Sequence, residues 1–285
     1  MTRQRGAGSG ERGVGRHFAI CLVRCALCLC ALAGPAWGQD ITTGLLADWI
    51  CDDNEVDDTQ VADHASGNYH AELQGGDFTA AKSDAGPGGS RPLSLHLNGS
   101  DDFVESGFTD IGVVDFFADA DPWSVAAWAK VDVSHSGNIV AKAGATQANR
   151  TLQVFTAASD AQRYGILLRG STITYFNRTL AFAQAWRHLC LTWNGTTSTF
   201  YIDGVSAGTC SVGTAAIEAS ETFKFGARTN AVPAVFFDGS LADVRVYSRA
   251  LAANDVLALY GLQFGRGPFR STAVNSKQLT TGLIR

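Results

Sequence analysis

The fold of this chain is decided near its C-terminal end by Phe237-Asp238-Gly239-Ser240-Leu241-Ala242-Asp243-Val244-Arg245-Val246-Tyr247-Ser248-Arg249-Ala250-Leu251. Phe-Asp-Gly predicts a turn, because glycine tolerates the backbone of a tight corner. The residues from 241 to 247 alternate, which predicts a strand. Its expected faces are Leu241, Asp243, Arg245 and Tyr247 on one side and Ala242, Val244 and Val246 on the other. We expect this late strand to pair with the first strand of the chain and close a sheet.

Outward from this stretch, strand patterns extend across most of the chain. They predict strands at 44–51, 93–97, 123–131, 139–142, 152–156, 164–169, 171–176, 186–194, 199–205 and 222–227. The strand at 123–131 is apolar almost throughout, which is typical of a strand covered on both faces. Asn-Gly at 194–195 and Asp-Gly at 203–204 predict the tight turns of a meander.

A helix is predicted after the closing strand, at residues 253–260. Its apolar stripe is Leu251, Val256, Leu257 and Tyr260. Ala252 stands at the N-cap, and Asn254 and Asp255 supply oxygen and negative charge in the first turn.

Several motifs carry a family resemblance. They are Gly44-Leu45-Leu46-Ala47-Asp48-Trp49, Val61-Ala62-Asp63 with Ser66-Gly67-Asn68, Asn98-Gly99-Ser100-Asp101-Asp102-Phe103-Val104, Trp186-Arg187-His188-Leu189, Tyr201-Ile202-Asp203-Gly204 and the closing stretch. Together they resemble the laminin G-like jelly roll of the concanavalin A-like lectin/glucanase superfamily. One departure is His64-Ala65, which widens the gap between Asp63 and Ser66. The resemblance implies an all-β fold over residues 39–262, a two-sheet antiparallel jelly-roll β-sandwich with a short C-terminal helix.

The two ends of the chain differ from this body. Residues 1–38 have the order of a secretory signal: a basic start, an apolar middle that only Arg24 interrupts, and small residues before Gly38. The alternative is an uncleaved membrane anchor, which Arg24 and the shortness of the apolar run argue against. Residues 263–285 form a tail in which 278–284 echoes 40–46, either by chance or as the start of a truncated repeat.

The charge balance excludes some partners. Removal of the signal leaves 17 basic and 26 acidic residues, a net charge of −9. Nucleic acids and anionic membrane surfaces need clustered Lys and Arg, so neither is an expected partner. We expect no membrane insertion after cleavage, since no apolar run beyond residue 40 is long enough to span a bilayer.

Three cysteines remain after cleavage, Cys51, Cys190 and Cys210. An oxidising compartment allows one disulfide and leaves one thiol over. Cys190 and Cys210 fall on neighbouring predicted strands, although counting the register puts them several residues apart. We predict the Cys190–Cys210 disulfide, with Cys51 open as a partner for either.

The sequence gives little indication of an enzyme active site. The superfamily's glucanases resemble one another in a central-strand E-x-D-x-x-E that sets two carboxylates on one face. This chain has Glu55-Val56-Asp57-Asp58-Thr59-Gln60, which lacks the second glutamate and lies in an early acidic loop. No G-x-S-x-G, Gly-rich phosphate loop or HExxH motif occurs. We therefore predict that the protein is not an enzyme.

A structural Ca²⁺ is the predicted cofactor. The resemblance implies an ion where the neighbourhood of the first strand meets the closing strand, and it points to Asp63, Asn68 and Asp243 as ligands. Carboxylate and amide oxygens from such loops suit calcium. The alternative is that Asp243 pairs with Arg245 or caps a turn.

Carbohydrate binding is the sharper functional hypothesis. Tyr164, Arg169, Tyr175 and Asn177 lie on or near the middle hairpin, where aromatic faces and polar groups can meet sugar rings and hydroxyls. The alternative for each tyrosine is packing beneath loops. The sequence thus favours a non-catalytic extracellular module that recognises carbohydrate or an extracellular protein. A divergent glycoside hydrolase and a structural or adhesive module remain as alternatives.

The signal assignment predicts the N-terminus of the exported protein. Edman sequencing is expected to begin at Gln39, because small residues precede that bond. An exported protein that begins near Met1 would contradict cleavage.

Overall fold

The computed structural model describes residues 41–51, 60–65, 67, 69–75, 83–88, 91–106, 121–132, 137–144, 150–157, 163–177, 185–214, 221–228 and 235–262. The predicted signal, the acidic loop at 52–59, Asn68 and the tail after residue 262 lie outside these ranges.

The described residues form strands and one C-terminal helix. In chain order they are β1 (Leu45–Trp49), β2 (Gln60–Val61), β3 (Ala71–Gln74), β4 (Ser83–Gly88), β5 (Arg91–Asn98), β6 (Phe103–Ser106), β7 (Trp123–Val131), β8 (Gly137–Ala143), β9 (Arg150–Ala157), β10 (Arg163–Leu168), β11 (Thr174–Asn177), β12 (Arg187–Trp193), β13 (Ser198–Ile202), β14 (Val205–Cys210), β15 (Lys224–Phe225), β16 (Asp238–Tyr247) and α1 (Ala253–Leu262).

The strands build two antiparallel sheets. Sheet A has the order β14-β13-β12-β7-β16-β5-β4, with β1 also paired to β16. Sheet B has the order β11-β10-β9-β8-β15-β6-β3-β2. The predicted all-β fold, a two-sheet antiparallel jelly-roll sandwich with a short C-terminal helix, is confirmed. The predicted bounds of the strand at 123–131 are those of β7.

Aromatic side chains join the two sheets at the centre. Trp49 of sheet A stacks on Phe223, with ring centroids 6.1 Å apart, and lies 5.5 Å from Phe225 of sheet B. All three side chains are completely buried. Each such ring buries on the order of 150–250 Å², so this cluster is a large part of what holds the sheets together.

The closing strand pairs with β1, as predicted, but its predicted alternation is wrong. Ala242 pairs with Trp128 and Arg245 pairs with Ala126, so β16 carries one more residue than β7 between these pairs. Asp243 has a φ of 52° at this bulge. A bulge inserts one extra residue, so the residues beyond it point to the opposite faces of the sheet. Leu241 therefore lies in the inner core together with Val244 and Val246.

The predicted turn at Phe-Asp-Gly is also displaced, because β16 already begins at Asp238. A Cβ on Gly239 would lie 2.1 Å from the carbonyl oxygen of Lys130. Glycine is needed here for the close approach of a neighbouring strand rather than for a corner.

Helix α1 covers the outer face of sheet A. Val256 and Leu259 are buried against this face, and Tyr260 stacks on Trp128 with centroids 5.7 Å apart. Leu257 was predicted in the apolar stripe, but it is 52% exposed, and Leu259 takes its place. Within the part of the chain that the structure describes, no helix is long and apolar enough to cross a membrane.

Asp255 caps α1 from inside its first turn. Its Oδ2 accepts a hydrogen bond from the backbone N–H of Ala252 at 3.0 Å and another from Arg249 at 2.6 Å. This is one half of a capping box, in which an N3 side chain reaches back to the N-cap amide. The expected compensation for alanine at the N-cap is thus provided by Asp255.

The predicted Cys190–Cys210 disulfide is not formed, and Cys51 is a free thiol as well. Cys190 pairs with Tyr201 and packs beneath α1, whereas Cys210 pairs with Ser198 and belongs to the inner core. The two side chains therefore lie on opposite faces of sheet A. Burial raises the pKa of both thiols, that of Cys210 to about 12, so both stay protonated and unreactive.

His188 lies under α1, where its ring packs beside the stacked pair of Trp128 and Tyr260, with centroid distances of 5.3 and 6.3 Å. Its side chain is 3% exposed. Burial lowers the pKa of His188 to about 4; the charge of Asp243 opposes this shift and that of Arg245 adds to it. The folded protein therefore holds this imidazole neutral at every pH above about 4.

Acid is expected to destabilise the protein partly through His188. The folded-state pKa lies below the ordinary 6.5, so the unfolded chain takes up the proton first. The stability that this residue contributes is complete above pH 6.5 and falls as the pH approaches 4. The free energy of unfolding is measured by denaturant titration between pH 7.5 and 4.5. It should fall less steeply with decreasing pH in His188→Phe, which keeps an aromatic ring but cannot titrate, than in the native protein. Equal slopes would contradict this account, and exposed His64→Gln is the control.

Candidate functional site

The outer face of sheet B carries an aromatic row at the β9–β10–β11 edge. Tyr175 pairs with Gly165, and Gly165 pairs with Phe155. A Cβ on Gly165 would lie 2.3 Å from the Phe155 ring, so this ring lies directly over the glycine. Phe155 is half-buried and Tyr175 is 46% exposed. We call Phe155, Gly165 and Tyr175 the aromatic platform.

A cation lies on this platform. The guanidinium of Arg163 stands 4.9 Å from the centroid of the Tyr175 ring. An arginine at this distance is attracted by the ring's quadrupole, at about 0.5–1 kcal/mol for an exposed pair. The contact favours this orientation of the tyrosine and leaves much of its ring accessible to a ligand.

The predicted sugar-binding residues are only partly brought together. Tyr175 lies on the platform. Tyr164 is 2% exposed, meets Phe200 edge-on at 6.0 Å in the core, and cannot touch a ligand. Arg169 occupies the turn after β10, ~13 Å along the strand from Gly165 at about 3.3 Å per residue.

Asn177 pairs through its backbone with Arg163, and its side chain lies outside the described part of the structure.

Sequence reasoning missed Phe155 and Arg163. The structure explains where they lie, because Tyr164, Ile166 and Leu168 share one face of β10 and all three belong to the inner core between the sheets. Residues 163 and 165 therefore point the other way, outward.

Asp63, a predicted calcium ligand, accepts hydrogen bonds from the backbone of its own loop and of the first strand. Its Oδ1 accepts hydrogen bonds from the backbone N–H groups of Asp48 at 2.8 Å and Ala65 at 2.9 Å, and its Oδ2 accepts one from Tyr69 at 2.9 Å. The side chain is nearly buried. Both carboxylate oxygens of Asp63 therefore already have backbone N–H partners within the protein.

Asp243 forms an ion pair with Arg245, which is the alternative to calcium binding that the sequence left open. Asp243 Oδ1 accepts a hydrogen bond from Arg245 Nε at 2.8 Å. Asp63 and Asp243 both neighbour β1, but each is committed to protein donors, and this arrangement does not fit a calcium shell. No three His, Cys, Asp or Glu side chains gather as a metal site within the described ranges. Calcium stays a prediction.

His96, Asp132 and Ser240 lie close together, but their geometry is not that of a catalytic triad. His96 Nδ1 lies 3.4 Å from an oxygen of Asp132 and 3.5 Å from Ser240 Oγ. A relay from serine through histidine to aspartate uses opposite ring nitrogens, whereas both partners here meet the same one. Ser240 is also completely buried. This arrangement provides no accessible nucleophile.

Residues 98–257 match the sequence profile of the concanavalin A-like lectin/glucanases superfamily. No curated protein matches the chain in sequence.

Several solved structures are similar in fold. One is a Trypanosoma rangeli sialidase in complex with 2,3-difluorosialic acid, at 15% identity and a TM-score of 0.58, covering 79% of this chain and 33% of that one. This chain thus spans about a third of the sialidase. Another is the receptor binding domain of a botulinum neurotoxin C/D mosaic serotype, at 13% identity and a TM-score of 0.56, covering 77% and 51%.

A third is domain 4 of AbnA, an extracellular arabinanase from Geobacillus stearothermophilus, in complex with arabinotriose. It is 17% identical with a TM-score of 0.52, covering 76% of this chain and 98% of that domain. At these identities the likeness shows the fold alone.

The role of Asp63 gives a prediction that separates loop structure from calcium binding. Asp63→Asn is expected to lower the melting temperature, because its amide nitrogen would face a backbone N–H; a buried donor left without a partner costs about 1–3 kcal/mol. We expect the same decrease in Ca²⁺ and in EDTA, measured by differential scanning calorimetry. Glu72→Gln, at an exposed acid of β3, is the control. An EDTA effect on the native protein that the variant abolishes would instead establish Asp63 as a calcium ligand.

Proposed function

This chain belongs to the concanavalin A-like lectin/glucanases superfamily, and on that premise we propose that it is a recognition module that binds carbohydrate on the outer face of sheet B. The observation that carries the proposal is the aromatic platform. Sugar rings present C–H faces that pack on aromatic side chains, while their hydroxyl groups need nearby polar partners.

The platform meets both needs. The exposed ring of Tyr175 and the half-buried ring of Phe155 supply the apolar surface, and the guanidinium of Arg163 places a charged polar group over the Tyr175 ring. Neighbouring strands hold these residues in register, so little side-chain freedom is lost on binding.

The similar domains support this choice by analogy. The arabinanase domain was solved with arabinotriose, and the neurotoxin domain is a receptor binding domain. Both properties belong to those proteins, and a shared fold does not transfer a ligand. The analogy favours binding over hydrolysis, and the His96 arrangement offers no catalytic alternative. With the predicted signal, we place this recognition outside the cytoplasm.

Replacement of Tyr175 tests the proposal. A glycan array identifies a ligand, and isothermal titration then compares the native protein with Tyr175→Ala. We expect at least a tenfold loss of affinity, since a tenfold change needs only about 1.4 kcal/mol and the loss of an exposed stacking surface exceeds this at many binding sites.

Tyr69→Ala is the matched control, because Tyr69 is an exposed tyrosine (36%) that lies beside the Asp63 loop. Its affinity should equal that of the native protein. Absence of binding to every arrayed glycan would overturn the proposed function. Unchanged binding by Tyr175→Ala would remove the platform as its site.

A further inference from the structure

The turn between β12 and β13 contains a solvent-exposed Asn-Gly pair. Trp193 pairs with Ser198 across this turn, and the Asn194 N–H donates to the carbonyl oxygen of Thr197 at 3.2 Å. Asn194 is exposed, and Gly195 has a φ of 90°. Because glycine has no Cβ, its backbone nitrogen can approach the preceding asparagine side chain with little steric hindrance.

Three donors polarise the side-chain carbonyl of Asn194. Its Oδ1 accepts hydrogen bonds from the Thr196 N–H at 3.0 Å, the Thr196 hydroxyl at 2.9 Å and the Thr197 N–H at 2.7 Å. Donors around a carbonyl oxygen stabilise the negative charge that develops there when a nucleophile attacks the carbon. Asn194 Nδ2 donates to no residue in the described ranges, so no hydrogen bond to the protein holds it in place. The turn itself contains no acid.

The second Asn-Gly pair that the structure describes, Asn98-Gly99, has different surroundings. Asn98 Oδ1 also accepts hydrogen bonds from three backbone N–H groups, at 2.8, 3.1 and 3.3 Å. Its Nδ2, however, donates to Asp101 Oδ1 at 2.8 Å, and its backbone N–H donates to Asp102 Oδ2 at 3.1 Å. A Cβ on Gly99 would lie 2.7 Å from the Cβ of Asp238. Three carboxylates therefore adjoin this pair and repel negative charge that develops there.

We propose that Asn194 is a site of spontaneous deamidation, the conversion of its amide to a carboxylate by water, and that the fold protects Asn98 from the same reaction. The proposal does not depend on the carbohydrate-binding function. It depends on a comparison of two turns that share the Asn-Gly sequence and three donors to Oδ1. They differ in the neighbouring carboxylates and in the partner of Nδ2.

The reaction needs only water and a solvent base. Hydroxide removes the proton from the Gly195 nitrogen, which attacks Asn194 Cγ and forms a new C–N bond. The bond from Cγ to Nδ2 then breaks, and Nδ2 takes a proton from water and leaves as ammonia. Water opens the resulting five-membered succinimide at either carbonyl and gives aspartate or isoaspartate. Overall, one water is consumed and one ammonia is released, with no oxidation or reduction.

The two products affect the turn differently. Aspartate keeps the length of the backbone and places a carboxylate oxygen where Oδ1 was, so the donors of Thr196 and Thr197 keep an acceptor. Isoaspartate adds one methylene to the backbone inside the turn that Trp193 and Ser198 close. We therefore expect isoaspartate, and not aspartate, to lower the melting temperature.

The test measures both positions in one sample. The full chain is incubated at mildly alkaline pH, and peptide mapping by mass spectrometry follows conversion at each asparagine. We expect conversion at Asn194 to be at least about tenfold faster than at Asn98, since a tenfold ratio needs only about 1.4 kcal/mol of activation free energy. In denaturant the two rates should become similar, because both sites have the same Asn-Gly sequence.

Variants test the cause of the difference. Thr196→Val removes one donor to Oδ1 and should slow conversion at Asn194 alone. Asp101→Asn removes a carboxylate beside Asn98 and should speed conversion there. Ser206→Ala, at an exposed residue of β14, is the control and should change neither rate. Far-ultraviolet circular dichroism and the melting temperature verify that the variants are folded.

Each contrary result removes a stated part of the proposal. An unmodified Asn194 in the folded chain, over a period in which the denatured chain converts, overturns the modification site. Equal rates at the two positions in the folded chain overturn the protection of Asn98. A rate ratio that persists in denaturant overturns the role of the fold, and faster conversion in Thr196→Val overturns activation by the donors.

Discussion

The rest of the structure depends on a buried guanidinium between two carboxylates. Arg245 Nε lies 2.8 Å from Asp243 and 3.2 Å from Asp48, and all three side chains are nearly inaccessible to water. Burial alone would lower the pKa of Arg245, but Asp243 and Asp48 raise it above its ordinary value. Loss of one partner from such a group typically costs about 3–5 kcal/mol, because a charge is left buried alone. The cluster connects the first strand to the last and stabilises the bulge that changes the face of β16.

The candidate site is distant from this cluster and depends on a simpler constraint. The inner face of β10 is fixed by Tyr164, Ile166 and Leu168, which all belong to the core between the sheets. Because residues alternate along a strand, Arg163 and Gly165 must then face outward. The same residues that close the core therefore place the guanidinium and the floor of the aromatic platform at the surface. The neighbouring strands add one ring on each side of the glycine.

Much of the fold could be predicted from local pattern, and most of the site could not. The strand at 123–131 and its burial on both faces follow directly from a nearly continuous apolar run. The bulge at Asp243 leaves no trace in an alternating sequence, because it is set by pairing to β7 and by the ion cluster. Tyr175 could be found from its position on the hairpin. Its contact with Arg163 depends on register between strands, which local alternation does not specify.

The lack of a disulfide among Cys51, Cys190 and Cys210 has a consequence for how this protein can be produced. Cys51, Cys190 and Cys210 are buried and unlinked, and Cys190 and Cys210 are separated by the thickness of a sheet. The sandwich is thus held by packing and buried charge rather than by oxidative cross-linking. Folding does not require an oxidant or a disulfide isomerase, and the native state is compatible with the reducing interior of a bacterial expression host.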